Sequence, residues 1–390
     1  MRARFSPLPV LLSAALVAAT AGCAASEAAT SAQECSPVST DALVPDDGVL
    51  VGANVDWGSQ TLAEYGTALG HRPAVAVSFS GLPMSAADGS NVAGAVEQVR
   101  ADGGVLLLTL EPTGGLATVT DAVAADLAGR LEEWNRSGVP VVVRFAHEMN
   151  GSWYAWGQQP AAYVAAFRRV AAAVHAGAPG SAMMWAPNYG GGHPFAGGPY
   201  QAVAGSPDAA VLDTDGDGAV TALDDPYAPY WPGTDVVDWV GMSLYHWGDV
   251  APWGENEVPE PGKLVAQLTG EYVGLGGDDR ALPDFHGVYG VGYDKPLAVP
   301  ETAALYVPGA GGADEAAVKQ SWWRQVFDPG LHQALPRLAM VNWFEWDKQE
   351  SEVDAEVDWR VTADPALRSA YAADLPAWAR WAEALPPCAP

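Results

Sequence analysis

Cysteine is scarce in this chain, and its placement excludes a common class of metal centre. The 390 residues contain three cysteines, Cys23, Cys35 and Cys388. None of them lies in a cysteine or histidine spacing that is typical of zinc sites. A zinc-type centre is therefore not expected.

Basic residues are also few. Lys and Arg number 19 against 47 Asp and Glu, which gives a formal charge of −28 at pH 7. Such a chain would repel the phosphates of nucleic acid, so a nucleic-acid partner is excluded. A polyanionic glycan is disfavoured for the same reason. The charge is compatible with a soluble exported protein that acts on a neutral polymer.

Apart from one N-terminal segment, the chain has no apolar run that suggests a membrane anchor. Arg2 and Arg4 precede an apolar run over residues 8–19, which is too short to span a membrane comfortably. This pattern predicts a secretory signal peptide over residues 1–23. The small residues before Cys23 resemble a bacterial lipoprotein cleavage box, so we expect lipidation there. Ordinary cleavage and release is the alternative.

A short tether and one long domain follow the predicted signal. Residues 24–36 are mostly small and polar, which predicts a flexible tether. Residues 37–390 contain no short repeat and no clear linker, so we interpret them as one domain. We expect an exported monomer, either secreted or at the cell surface, that touches a membrane only through a lipid on Cys23.

The domain alternates between apolar runs and helix-like segments. The apolar runs cover residues 49–55, 74–79, 105–110, 140–146, 182–186, 238–245, 296–301 and 338–344. Segments rich in Ala, Leu, Arg and Glu cover residues 93–101, 120–137, 161–176, 313–327 and 366–384. Alternation of this kind implies βαβ units and a parallel sheet. Eight repeats predict an α/β fold of the (β/α)₈ TIM-barrel type.

Two further expectations follow from a barrel. The loops after the fifth and sixth strands, over residues 187–235 and 246–295, are long enough to shape a site on its upper rim. The two ends of a barrel domain are usually close in space. In an exported protein we therefore expect a disulfide between Cys35 and Cys388, with two unpaired thiols as the alternative.

The fourth strand runs directly into a cluster of reactive side chains. Residues 141–156 pass from Val141 through Arg144, His147 and Glu148 to Trp153 and Trp156. The carboxyl ends of barrel strands are where such folds carry their chemistry. A carboxyl group that protonates a glycosidic oxygen, beside flat rings that cover sugar faces, is suited to glycoside hydrolysis.

The string from His147 to Gly151 with the nearby Trp resembles the acid/base motif of glycoside hydrolase family 26, the β-mannanase family. That family belongs to a clan whose acid/base follows strand four and whose nucleophile follows strand seven. The resemblance makes Glu148 the acid/base. Residues 295–301 resemble the family's nucleophile strand and make Glu301 the nucleophile. A retaining mechanism requires these carboxyl groups about 5–5.5 Å apart.

Further residues are candidates for substrate binding or for tuning the carboxyl groups. Arg144 is expected to keep Glu301 ionised, or else to form a structural ion pair. His147 is expected to hydrogen-bond substrate or a neighbouring site residue, or else to be structural. By resemblance, Tyr245 reaches the nucleophile and Trp343 forms a floor for the sugar at the cleavage point. Trp153, Trp156 and Trp247 are predicted to form outer sugar platforms.

Three other acids lie at strand ends. Glu345 and Asp347 follow strand eight and form a rival pair, and Glu111 ends strand three. They are ranked below Glu301 as the nucleophile because they lie outside the position that the clan uses. Each remains a candidate for hydrogen bonding to sugar hydroxyl groups.

Residues 213–224 follow the twelve-residue calcium loop of EF-hands. Oxygen ligands would come from Asp213, Asp215, Asp217, the Ala219 carbonyl, Thr221 and Asp224, and Gly218 takes the sharp turn. The last position usually carries Glu, and the loop resembles a single dockerin-type repeat. We expect a structural Ca²⁺ ion and no organic cofactor, with a solvated acidic turn as the alternative.

The sequence thus favours an exported retaining glycoside hydrolase, with a neutral β-1,4-mannan as the preferred substrate. Hydrolysis of β-1,3-xylan or mixed-linkage β-glucan is the alternative within the family. A non-catalytic glycan-binding lipoprotein on the same fold is a second class, and a calcium-dependent surface protein is a third. The third class would leave the pairing of Glu148 with Glu301 unexplained.

Overall fold

The structure is a computed structural model that describes residues 40–382. The predicted signal peptide and tether lie outside the described residues. So do Cys23, Cys35 and Cys388, and with them the predicted lipidation and disulfide. Within residues 40–382 no helix combines the length and the apolar composition needed to cross a membrane.

Eight parallel strands form a closed barrel, as predicted. The strands of the described chain are β1 (Val49–Val55), β2 (Val75–Gly81), β3 (Val105–Glu111), β4 (Val141–Phe145), β5 (Ser181–Trp185), β6 (Trp239–Gly241), β7 (Val273–Gly274), β8 (Gly277–Asp278), β9 (Leu297–Thr302), β10 (Leu338–Glu345), β11 (Asp347–Glu350), β12 (Ala355–Asp358) and β13 (Ala379–Arg380). The barrel order is β1 to β6, then β9 and β10, and β10 pairs with β1 to close it. The pairs β7–β8 and β11–β12 are separate small hairpins.

The composition of the strands explains the barrel. Every residue of β4, β5 and β9 is buried. Parallel strands covered on both faces have continuous apolar runs of this kind, because one face meets the barrel interior and the other meets the helices. The fully buried Val141 and Val143 of β4 belong to the main core, whereas Val142 between them belongs to a second cluster.

Helices connect most of the strands on the outside of the barrel. They are α1 (Leu62–Leu69), α2 (Ala86–Asp102), α3 (Asp121–Arg136), α4 (Pro160–Gly177), α5 (Pro207–Leu212), α6 (Lys263–Leu268), α7 (Glu315–Val326), α8 (Leu331–Ala334) and α9 (Pro365–Ala373). Capping boxes at Thr61 and Ser85 define the starts of α1 and α2. Each satisfies backbone N–H groups that the first helical turn leaves free.

The predicted helix over residues 366–384 is wrong in its second half. Helix α9 ends at Ala373, and Pro376 follows shortly after it. Proline lacks a backbone N–H and disfavours helical geometry in the residue before it. Ala379 and Arg380 instead form the short strand β13, which pairs in parallel with the start of β1.

The two long loops lie where the sequence predicts them. The connection from β5 to β6 contains α5, and the connection from β6 to β9 contains α6 and the β7–β8 hairpin. Each begins at the carboxyl end of its strand, the end of the barrel at which Glu148 follows β4 and Glu301 lies among the last residues of β9. The loops therefore start beside the predicted catalytic pair.

Candidate active site

The chain leaves β4 in an unusual conformation. Ala146 and Glu148 have φ values of +46° and +54°, a region that residues with a Cβ seldom adopt. The backbone is held from both sides, since Ala146 N donates to Leu110 O at 2.8 Å and Glu148 N donates to Ala186 O at 2.9 Å. Strain of this kind persists only where the surroundings over-determine it, and it concentrates at functional sites.

The Glu301 carboxylate lies at the end of β9 with a cation and a hydroxyl group against it. Arg144 Nη1 forms an ion pair with Glu301 Oε1 at 2.9 Å. Tyr245 donates its hydroxyl proton to Glu301 Oε2 at 3.2 Å. Arg144 has no exposed surface and Glu301 is 5% exposed, so water screens this ion pair weakly. The Glu301 carboxylate thus faces one buried positive charge and accepts one hydrogen bond from a hydroxyl group.

Glu148 lies in a different electrostatic environment. Burial and then the negative charge of Glu301 raise the pKa of Glu148 to about 7, against the opposing effects of Arg144 and of hydrogen bonds from Ser243 and Trp153. Trp153 Nε1 donates to Glu148 Oε2 at 3.2 Å. Glu148 is thus partly protonated near neutral pH, beside a second carboxylate that an arginine stabilises. Two carboxyl groups with unequal environments are suited to divide the acid and nucleophile roles.

Ser243 links the two halves of this site. Arg144 Nη2 donates to Ser243 Oγ, and Ser243 also lowers the pKa of Glu148 by hydrogen bonding. The backbone of Ser243 is itself fixed, because its N–H donates to Pro187 O at 3.2 Å. Sequence patterns gave no reason to select this serine, since one hydroxyl group in an apolar strand is common.

Trp153 is half-buried at the edge of the site, where its ring covers Gly151. A Cβ at Gly151 would lie 2.3 Å from ring atoms of Trp153, so the ring takes this position only above glycine. The edge of a second ring, Phe195, meets Trp153 with 5.1 Å between centroids. The predicted role of Trp153 as a sugar surface is compatible with this position.

Two of the predicted sugar surfaces lie elsewhere. Trp156 is 1% exposed, stacks on Tyr154 and donates to the His147 carbonyl, so its ring serves packing. Trp343 has no exposed surface and packs on Tyr371 of α9. The predictions of an outer platform at Trp156 and of a sugar floor at Trp343 are therefore wrong in this structure.

Phe344, the residue after Trp343, faces Tyr245 instead. Successive strand residues face opposite sides, so Trp343 and Phe344 cannot both face the site. Phe344 packs against Tyr245 with 5.8 Å between centroids. Choosing Phe344 would have required the register of β10 relative to the barrel axis, which no local pattern supplies.

His147 is enclosed by rings. The imidazole contacts Phe79, Tyr154 and Trp156, with centroids 5.1–5.8 Å away. Burial, and then the charge of Arg144, lower its pKa well below the usual value, so the ring is neutral. The structure places His147 beside the site as a packed neutral side chain, 2% exposed.

Glu111 adds a third carboxyl group to the cleft. Burial and then the charge of Glu301 raise its pKa, and Arg144 opposes this effect. The charges of Glu148, Glu301 and Glu111 all help to raise the pKa of the Tyr154 hydroxyl, after burial. Glu111, at the end of β3, is thus electrostatically coupled to Glu301 and Arg144, and its hydrogen bonding to sugar hydroxyl groups stays a prediction.

Glu345 and Asp347, the rival pair at the end of the eighth barrel strand (β10), make structural contacts. Glu345 accepts hydrogen bonds from Val361 N at 3.0 Å and from Thr362 N at 2.8 Å. Asp347 forms an ion pair with Arg360 at 2.7 Å. Because Glu345 is 2% exposed and holds this loop, it is not available as a nucleophile.

The loop over residues 213–224 has several features of a calcium loop. Carboxylate oxygens of Asp213, Asp215 and Asp224 lie within 4.8 Å of one another, and this is the one such acidic group in the described chain. Gly218 N donates to Asp213 Oδ2 at 2.9 Å, and Gly218 has a φ of +96°. Oxygen-only donors suit a hard cation.

Asp217 and Thr221, two of the other predicted ligands, accept hydrogen bonds within the loop, and so does Asp224. Asp217 accepts from Ala219 N at 2.9 Å, and Thr221 Oγ1 accepts from Leu223 N at 3.1 Å. Asp224 accepts from three backbone N–H groups, which outweigh the effect of burial and lower its pKa. Three of the six predicted ligands therefore converge in this structure.

One segment of the chain matches a known family. Residues 110–177 match the model of a family described as glycosyl hydrolase family 26. The segment includes β4 and Glu148 and ends before Glu301. Comparison with curated protein sequences finds no match.

Solved structures share the fold over most of the chain. GH26C from a Muricauda species superposes with a TM-score of 0.56 at 12% identity, over 88% of this chain and 89% of that one. A double mutant of the Cellulomonas fimi endo-β-1,4-mannanase gives 0.54 at 17%, over 87% and 74%. A GH26 β-mannanase from Bacteroides ovatus gives 0.51 at 15%, over 86% and 91%. At these identities the likeness establishes the shared barrel fold.

Proposed function

We propose that this chain is a retaining glycoside hydrolase of family 26 that cleaves β-1,4-mannan within the polymer. The observation that carries the proposal is the pairing of two carboxyl groups at the ends of β4 and β9. The pKa of Glu148 is raised to about 7, and Glu301 forms an ion pair with a buried arginine. The family match over residues 110–177 and the mannanases among the similar structures support it.

The chemistry follows from the two environments. Glu301 attacks the anomeric carbon as the glycosidic carbon–oxygen bond breaks, and Glu148 transfers its proton to the leaving oxygen. The sugar is then an ester of Glu301. Glu148, now ionised, takes a proton from water, and that water attacks the same carbon and releases Glu301. Two inversions leave the anomeric configuration unchanged.

A panel of polysaccharides tests the proposal. Reducing-sugar release would be measured on β-1,4-mannan, β-1,3-xylan and mixed-linkage β-glucan with the mature protein. Release from mannan alone supports the proposed specificity, and release from another of these glycans moves the chain to a different substrate within the hydrolase class. Binding without release would support the non-catalytic alternative. Export and lipidation at Cys23 stay predictions from the N-terminal sequence.

Removing the Tyr245 hydroxyl should slow the reaction without disturbing the fold. A hydrogen bond to a charged group contributes about 1.5–3 kcal/mol, so Tyr245→Phe should lower kcat/KM on mannan about 10- to 100-fold. The ring contact with Phe344 remains. Tyr189→Phe is a matched control, because that hydroxyl also donates to a carboxylate, Asp279, but not to the catalytic pair. Equal kcat/KM in the wild type and Tyr245→Phe would contradict the role.

We also propose that Ca²⁺ binds residues 213–224 and stabilises the long loop after β5. Binding only to the folded protein adds about 2.7 kcal/mol when calcium is a hundredfold above its Kd. Chelator should therefore lower the melting temperature of the wild type, and Asp215→Ala should reproduce this effect and abolish the response to calcium. Glu133→Ala, an exposed acid on α3, controls for loss of charge. A melting temperature that is the same in calcium and in chelator would identify a plain acidic turn.

A further inference from the structure

Three aromatic rings lie in sequence from the nucleophile into the loop after β6. Tyr245 contacts Glu301, the Trp247 ring is 6.3 Å from that of Tyr245, and the Trp253 ring is 5.8 Å from that of Trp247. Exposure increases outward, because Tyr245 and Trp247 are partly buried whereas Trp253 is 40% exposed. Trp253 is thus the exposed end of a row of three rings that begins at the Glu301 carboxylate.

A buried cation holds the loop beneath these rings. Lys263 Nζ donates to Asp249 Oδ1 at 2.8 Å and to Gly248 O at 3.0 Å, and it lies 3.3 Å from His246 Nδ1. Lys263 is 5% exposed, so these contacts are screened little by water. The backbone on both sides of Trp247 is thereby fixed before any ligand arrives, and preorganisation reduces the entropy lost on binding.

The outer ring is fixed by its own contacts. A Cβ at Gly248 would lie 3.1 Å from the Trp253 ring, and Gly248 has a φ of +139° that favours glycine. Trp253 therefore lies across the Gly248 backbone. Under Trp247, Trp359 packs with 5.0 Å between centroids. The two indoles thus form a surface that the Gly248 backbone and the Trp359 ring support.

We propose that Trp247 and Trp253 form an outer sugar-binding subsite, in which their faces cover the apolar faces of hexose units distant from the scissile bond. This inference rests on the proposed function. Its ligand is a neutral β-linked hexose chain long enough to extend from Glu301 along the β6 side of the cleft. Indole faces pair with the C–H surfaces of such sugars, and their burial removes apolar area from water. Trp153 lies on the β4 side, so the two surfaces flank the carboxyl pair.

The test compares substrates of increasing length. Trp253→Ala should lower kcat/KM about five- to tenfold on polymer and on long mannose oligomers. Truncation of an aromatic residue that contacts the ligand lowers the affinity by about this factor or more. Disaccharides and trisaccharides should be unaffected, and Trp253→Phe should recover most of the loss. Tyr293→Ala is a matched control, because that ring is also 40% exposed and stacks on another indole, that of Trp231. Tyr293 precedes the amino end of β9, whereas Glu301 lies at the carboxyl end of that strand. That variant should change nothing.

Binding separates this inference from the proposed function. Affinity electrophoresis in soluble mannan would be run on Glu301→Gln with and without Trp253→Ala. Weaker retardation upon loss of Trp253 supports the subsite even if the wild type cleaves nothing, which would overturn the hydrolase proposal alone. If the wild type cleaves mannan but Trp253→Ala changes kcat/KM by the same factor on short and long substrates, the subsite alone is overturned. A dimer that dissociates in Trp253→Ala would assign the surface to a second copy and overturn the subsite too.

Discussion

Glu301→Ala should reduce kcat on mannan by at least about 10⁴-fold, which is the scale for removal of a nucleophile from a machinery that acts as a unit. Glu345 cannot replace it, because that carboxylate is committed to the backbone of Val361 and Thr362. The change also leaves the fully buried Arg144 without its carboxylate. An unpaired buried charge is destabilising, so the melting temperature should fall as well.

A second variant separates catalysis from folding. Glu301→Gln keeps the shape of the side chain and an oxygen for Arg144, and it should fold more stably than Glu301→Ala while staying inactive. Glu133→Gln, an exposed acid on α3, should keep full activity. Substantial turnover by a folded Glu301→Gln protein would mean that another residue is the nucleophile, with Glu111 the next candidate in the cleft.

Azide offers a direct readout of the nucleophile. In Glu301→Ala, azide entering the vacated space would attack the anomeric carbon once, as Glu148 protonates the leaving oxygen. A single displacement gives a glycosyl azide of inverted configuration, which nuclear magnetic resonance distinguishes from the retained product. A retained azide product from this variant would contradict the assignment of Glu301.

The barrel and the positions of Glu148 and Glu301 at strand ends were predictable from local patterns, whereas the catalytic roles proposed for the two residues came from the family resemblance. Strands buried on two faces are continuous apolar runs, and a carboxyl group at the end of such a run needs no tertiary information to be located. Glu148 follows one such run and Glu301 lies at the end of another, and the closed topology brings strand ends together. Glu111 was visible for the same reason.

The errors at the candidate site concern side-chain direction, which depends on tertiary register. Trp343 and Phe344 are equivalent as sequence, and only the pairing of β10 with β1 and β9 makes Phe344 the one that faces Tyr245. Trp156 follows the acid/base motif closely, yet its ring stacks beneath Tyr154. Ser243, which contacts Arg144, has no sequence signal at all. Trp253 becomes a candidate only in the folded structure, where the loop after β6 brings its ring against that of Trp247.

The protonation state of Glu148 should set the alkaline limit of activity. The group must carry a proton to assist departure of the leaving oxygen, and its pKa is raised to about 7 by burial and by the charge of Glu301. As pH rises through that value Glu148 loses its proton, so kcat/KM should fall on the alkaline side. Trp153 donates to the ionised form and lowers this pKa. Trp153→Phe should therefore move the alkaline limb to higher pH, whereas a purely structural change would lower the whole profile without shifting it.

Glu148→Gln should remove that limb and lower kcat/KM on mannan by about 10²–10⁴-fold, the usual contribution of a general acid. The amide cannot donate a proton to the leaving oxygen, but a substrate with a phenolate leaving group needs little such help. An activated aryl glycoside should therefore react with Glu301 nearly as fast as in the wild type, and the ester should then accumulate because no base activates water. Azide should discharge this ester with net retention, opposite to its outcome in Glu301→Ala, since attack now follows a first displacement by Glu301. If Glu148→Gln kept the alkaline limb near pH 7, or lost equal activity on mannan and on the aryl glycoside, the proton donor would be a different group.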